Sequence, residues 1–259
     1  MNIERASVQQ AFENYISQFD MTDERVSLKV DHTAHVAENS DKISSSLGLS
    51  QEQKDIAWTI AMLHDIGRFE QAVRMHTFVD TVCCDHAEEG VKYLFGQGAI
   101  SSFLSDGSCS SETLECIRIA IQYHNKHLLP DNLSEQNLLF CNIIRDADKL
   151  DIFRIHLANS FEVVHEYPKS AVETSRISPA VIDCFKKQET LDYSKRQYPA
   201  DIFLGHIAMC FGLVYPCSRK MASEQGYIET IMDFSFTGTE EQTLYEDMKA
   251  SVQKFLSGN

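Results

Sequence analysis

His32, His64, Asp65, His86, His124 and Asp148 are side chains of the kinds that hold divalent metal, and each falls where a helix would turn it inward. The stretch Ala61-Met62-Leu63-His64-Asp65-Ile66-Gly67-Arg68-Phe69-Glu70 poses the problem most sharply, because an imidazole and a carboxylate follow directly on an apolar run. Taken singly, each residue has a plain explanation. A histidine on an apolar face is usually a core residue bonded to a carbonyl, and an aspartate near a helix start is usually a cap. Together they are harder to account for, since each inward polar group left unpaired costs about 1–3 kcal/mol. Divalent metal satisfies them jointly. Neutral imidazole nitrogens and carboxylate oxygens suit first-row ions such as Mn, Fe, Co, Ni or Zn, and a carboxylate shared between two ions favours a dinuclear centre.

The elements that must position these groups read as helices almost throughout. Apolar residues recur at spacings of three and four, as in Val8, Phe12, Tyr15, Ile16 and Phe19, and alternating β-branched runs are missing. The fold class is therefore all-α. In DHTAHVAENSDKISSSLGL, His32 continues the stripe Val36, Ser40, Ile43 and Leu47, whereas His35 falls with Asn39, Lys42 and Ser46 on the polar side. His64 follows Ala57, Ile60 and Ala61. His86 shares a side with Gly90, Tyr93 and Leu94, His124 stands above Ile117, Ala120 and Ile121, and Asp148 lies with Ile144, Ile152 and Ile155.

Interruptions are short. SSSLGLSQEQ holds a glycine stop and a Ser50 cap with Gln53 three residues later, FGQGAISSFLSDGSCSSE reads as a Gly/Ser-rich loop, and HLLPDNLSEQ contains Pro130 and a second cap. PADIFLGHIAMCFGLVYP reads as one strongly apolar helix between prolines, packed either internally or across a homodimer. The expected organisation is a single all-α domain over residues 1–259, with a core over roughly 25–160 and a helical extension over roughly 161–259.

Composition narrows the function. With 259 residues, 43% of them hydrophobic, the chain can bury a sizeable core. No apolar run approaches the roughly 20 residues of a membrane span, and MNIERASVQQ is charged where a signal peptide is apolar, so no membrane partner and a cytoplasmic location are expected. The eight cysteines form no CxxC pair and read as reduced hydrophobes. A net charge of −15, with no basic stripe to offset it, argues against a nucleic-acid polymer as partner.

The order His32 in HTAHV, His64-Asp65 in AMLHDIGR and Asp148 in RDADKLD resembles the HD superfamily of metal-dependent phosphohydrolases, over roughly residues 25 to 160. That resemblance implies an all-helical HD core and selects Asp148 over its rival Asp146. His86 in DHAEEG and His124 in QYHNKH resemble the two additional histidines of dinuclear members. By that likeness one ion takes His32, His64, Asp65 and Asp148, and a second takes Asp65, His86 and His124, with a bridging hydroxide as nucleophile. The implied reaction is hydrolysis of a small phosphate ester. Arg68, a turn beyond His64, is then placed to bind a phosphate oxygen, unless it pairs with Glu70. Arg145 and Lys149 either orient substrate or pair with Asp146 and Asp151. His76 and His127 lie near by sequence and read as exposed.

Departures from the family narrow the substrate. HD-GYP members carry adjacent histidines and then Gly-Tyr-Pro, whereas this chain has His124-Asn125 followed by KHLLPDNL. A small nucleotide or other phosphomonoester is expected in place of a cyclic dinucleotide. The same ligand set also occurs in di-iron oxygenase relatives, and a non-catalytic metal-binding regulatory module is the third alternative.

Overall fold

The computed structural model of the protein describes residues 3–75, 84–105 and 107–258; it is helical, with no strand among them. His76 lies outside the described residues. No described helix is long and apolar enough to cross a membrane. The chain divides into two compact units, Met1–Asp148 and Lys149–Asn259. The division falls inside a helix, upstream of the boundary near 160 that the sequence pattern suggests.

In the first unit, α1 (Arg5–Ile16) buries Val8, Phe12 and Tyr15, the stripe its spacing predicts. Helix α2 (Glu24–Ser46) starts on Asp23, whose carboxylate accepts from the Arg25 N–H, and stops at Gly48, which adopts φ +67°. Helix α3 (Gln51–Leu63) opens with the reciprocal Ser50–Gln53 capping box that the sequence shows, and it packs along α2. Helices α4 (Ile66–Met75) and α5 (His86–Val91) follow, the latter running into a π turn over Lys92–Gly96.

The segment read as a Gly/Ser-rich loop contains a short helix, α6 (Ile100–Phe103), because Phe103 and Leu104 are buried, with the Phe103 ring 6.4 Å from that of Tyr15. Ser110 caps α7 (Ser111–Tyr123), and the Ser134 hydroxyl accepts from Asn137 N–H at the start of α8 (Glu135–Ala158), which crosses into the second unit.

The second unit comprises α9 (Phe161–His165), α10 (Lys169–Glu173), α11 (Pro179–Lys187), α12 (Pro199–Ala208), α13 (Pro216–Gln225), α14 (Tyr227–Ile231) and α15 (Thr239–Ser257). The apolar run between prolines is not one helix. Helix α12 ends at Ala208, and Met209–Gly212 tightens into a 3₁₀ turn. A Cβ at Gly212 would stand 2.9 Å from both Lys149 Cε and Thr190 Cγ2, so the turn brings backbone against side chains where no side chain fits. Ile202, Phe203, Leu204 and Ile207 are buried within the single chain, and α12 packs on α10 and α11. The described cysteines are all free thiols.

This unit also brings together three imidazoles, His165 buried and His156 and His206 half-buried. His165 Nδ1 and His206 Nδ1 are 3.0 Å apart, the His156 ring lies 4.6 Å from that of His206, and His156 Nδ1 is buried without a hydrogen bond. Burial, reinforced by His165, pushes His156 down to about 3; burial alone pushes His165 down to about 4. His206 is held well below 6.5 by burial and by its two histidine neighbours.

Because these folded values lie below the ordinary 6.5, the unfolded chain takes up protons that the folded chain refuses as pH falls from about 6.5 toward 4. Stability is fully present above that window and drains with falling pH by about 1.4 kcal/mol per pH unit for each histidine kept neutral. Urea midpoints at pH 7 and pH 5 should therefore differ, with pH 5 lower, and His206→Gln should shallow that dependence. Equal midpoints at the two pH values would contradict the reading.

Candidate metal centre

All six residues singled out by type and spacing come together inside the first unit, and five are buried: His32, His64, Asp65, His86 and His124. Asp148 is the partial exception, its side chain retaining 16% exposure.

Each arrives by a different local device. His32 sits mid-helix in α2 on the buried stripe, while His35 turns away and its Nδ1 meets the Asp31 carbonyl. Asn39, grouped with His35 on the polar side by its spacing, is in fact buried at 4% exposure, because its amide donates to the Ala147 carbonyl of α8. His64 and His124 repeat one device. Each follows the last residue of its helix, α3 or α7, and its Nδ1–H donates at 2.7 Å to the carbonyl three residues back, Ala61 or Ile121. Late carbonyls of a helix lack intrahelical donors, so the ring satisfies one of them. A carbonyl can only accept, which makes Nδ1 the protonated nitrogen and leaves Nε2 as a lone pair. His64 Nε2 is buried with no hydrogen-bond partner. His86 opens α5, directly after the Asp85 cap.

Asp65, between α3 and α4, stands at the centre. Its Oδ2 lies 3.6 Å from both His32 Nε2 and His64 Nε2, and its Oδ1 lies 3.3 Å from His86 Nε2 and 3.6 Å from His124 Nε2. Asp148 Oδ1 is 3.1 Å from His32 Nε2 and 3.9 Å from His64 Nε2. His86 Nε2 and His124 Nε2 are 2.9 Å apart. Two overlapping groups, His32–His64–Asp148 and His64–Asp65–His124, have ligand atoms close enough together to hold an ion.

The electrostatics suit a cation. Burial opposes ionisation of Asp65, but Lys29 and the surrounding imidazoles outweigh it and hold the carboxyl well below the usual range. Burial opposes ionisation of Asp148 too, and its hydrogen bond to His32 prevails, so it also stays charged. Burial pushes His64 down to about 4, keeping it neutral despite the two carboxylates. Ionised carboxylates beside neutral imidazoles are the state in which these groups ligate metal. The orphaned Nε2 of His64 fits such an ion, because a buried lone pair otherwise has nothing to accept from.

Lys29 escaped the sequence reading. Its Nζ donates to Asp65 Oδ2 at 2.7 Å, one turn before His32 on α2, and that i, i+3 spacing was the available signal. Arg68 Nε lies 3.8 Å from Asp65 Oδ1, and its Nη1 donates to Gln71 Oε1 at 2.6 Å; Glu70 pairs instead with Arg74. Arg145 binds backbone. Its guanidinium donates to the carbonyls of Tyr123, His124, Lys126 and His127, because the chain leaving α7 has carbonyls without helical partners. Lys149 belongs to the second unit, where its Cε and Nζ pass Gly212, and Asp151 pairs with Arg154. His127 is exposed.

Buried His and Asp side chains delivered by separate helices form a cluster that could hold divalent metal. The HD domain family model matches residues 30–152, which include every residue of the cluster. No curated protein and no solved structure matches the chain.

Bringing α5 beside Asp65 depends on two glycines. A Cβ on Gly67 would collide with the His86 carbonyl and stand 2.8 Å from Gly90 N, and one on Gly90 would stand 3.2 Å from Ile66 Cγ2. Gly67→Ala should thus cost about 1–3 kcal/mol by overpacking, read as a lowered urea midpoint. Gly96→Ala, whose Cβ meets only Lys92 Cγ at 3.7 Å, should be tolerated. Equal stability of the two variants would contradict this packing account.

Proposed function

We propose that the protein is a metal-dependent phosphohydrolase that cleaves the phosphate ester of a small molecule, a small nucleotide being the first class to test. The observation that carries this reading is the placement of Asp65, with two imidazoles beside each of its oxygens. We assign His32, His64, Asp65 and Asp148 to one divalent transition ion and Asp65, His86 and His124 to a second. Divalent ions held there supply what phosphate-ester hydrolysis needs, an acidified water and neutralised phosphoryl oxygens.

The chain's own residues have separate tasks. The Nδ1–H donations of His64 and His124 fix the ring tautomers and aim Nε2 inward, as hydrogen-bonded metal histidines require. Lys29 and Arg68, both within 4 Å of Asp65 oxygens, supply positive charge where a phosphate would approach, offsetting the charge of the site carboxylates in a chain of net charge −15. Arg145 is read as a positioning group that holds the backbone around His124, in place of the substrate contact its sequence position suggested. Lys149 has no task in this assignment.

The test is metal-reconstituted screening against nucleotides and simple phosphomonoesters. Phosphate release should vanish on chelation, return with Mn²⁺ or Co²⁺, and be lost in His64→Ala and Asp65→Ala together with bound metal. Lys29→Met should lower kcat by about 10²-fold, the scale for losing a charge-stabilising donor. Phosphate release that survives loss of His64 and Asp65, or oxygen consumption in its place, would overturn the proposal.

A further inference from the structure

The two halves of the cluster are held differently. His32 and Asp148 sit in the interiors of long helices, α2 and α8, with backbone hydrogen bonding on both sides. His86 and His124 sit at helix ends, His86 as the first residue of α5 and His124 just past α7. Helix ends fray, because their terminal N–H and C=O groups lack intrahelical partners. A pair of ligands at two such ends keeps its spacing only if something ties the ends together.

Asp85 is that tie. Its Oδ1 caps α5, accepting from Ala87 N–H at 3.0 Å and Glu88 N–H at 3.3 Å, and also accepts from the Asn125 side-chain amide at 2.9 Å. Its Oδ2 accepts from Lys126 Nζ, and the same ammonium lies 3.4 Å from Glu88 Oε1. One carboxylate therefore fixes the residue before His86 to the two residues after His124. Behind them, Arg145 holds the carbonyls of residues 123, 124, 126 and 127.

We propose that Asp85 is a positioning residue that makes the His86–His124 position loadable, so that its removal empties that position while the His32–His64–Asp148 position stays filled. This rests on the dinuclear reading given above. At the first position His64 also follows a helix end, but the helix interiors of α2 and α8 hold its two partners, His32 and Asp148, so only one of three ligands there depends on an end. Loss of groups that orient metal ligands from outside the coordination sphere lowers metal affinity by about 10–100-fold, and that is the effect expected on the second ion alone.

The experiment uses the full chain loaded with Mn²⁺, reading ions per chain by elemental analysis and ion–ion coupling by electron paramagnetic resonance. The unsubstituted protein should take up two ions per chain and show a coupled spectrum. Asp85→Ala should retain one ion with an uncoupled spectrum, and its second-ion Kd should rise about 10–100-fold. Asp85→Asn, which still caps a helix, should recover part of the second-ion affinity. Ser50→Ala, which removes the α3 cap, serves as the control for cap loss as such and should leave the second ion in place.

Should Asp85→Ala fail to fold, Asn125→Ala and Lys126→Met each cut one arm of the tie without touching the α5 cap, and each should weaken the second ion in the same direction. Two coupled ions bound with unchanged affinity in the folded Asp85 variant, or in both arm variants, would overturn the proposal. An unsubstituted chain that binds one ion only would remove the dinuclear reading itself, and this proposal with it.

Discussion

Water cannot satisfy a buried imidazole lone pair that has been sealed behind helices, and the first unit of this protein contains one at His64 Nε2, surrounded by three more imidazoles and two ionised carboxylates. That constraint organises the unit around it. Lys29 and Arg68 meet the negative charge of Asp65, and burial keeps His64 neutral and able to accept. A cation between these groups converts a costly arrangement into a satisfied one, since an unpaired buried polar group costs about 1–3 kcal/mol. The helices that deliver the six residues can then be read as a scaffold built to hold one small polar volume.

Much of this was legible in the sequence because it rests on local rules. The inward face of α2 followed from the spacing of His32, Val36, Ser40 and Ile43, all of them buried. The start of α3 followed from Ser50 and Gln53, and the end of α2 from Gly48. The convergence of the six residues was inferred from the polar cost that isolated burial would carry, with the family resemblance adding Asp148 in preference to Asp146.

What escaped depends on contacts between distant segments. Asn39 looks polar by periodicity, and only the Ala147 carbonyl of a helix 108 positions away explains its burial. Arg145 lies close to Asp148 in sequence, yet its guanidinium donates to the carbonyls at the end of α7, and no spacing rule announces that contact. Lys29 stood one turn from His32, but a surface lysine and a buried counter-ion look alike until the partner helix is placed. The apolar run after Pro199 reads as a continuous helix until Gly212 is seen to bring backbone against Lys149 and Thr190. The division between the units falls within α8, where helical periodicity continues unbroken and composition shows no change.

The proposed function thus turns on atoms that four histidines and two aspartates present to a common space, and on the end-of-helix hydrogen bonds that aim two of those rings. The most direct test is anomalous diffraction at the manganese edge from crystals of the full chain grown with Mn²⁺. The account predicts two peaks flanking Asp65, one beside His32, His64 and Asp148 and one beside His86 and His124. Anomalous density absent from this cluster, or found only elsewhere on the molecule, would contradict it.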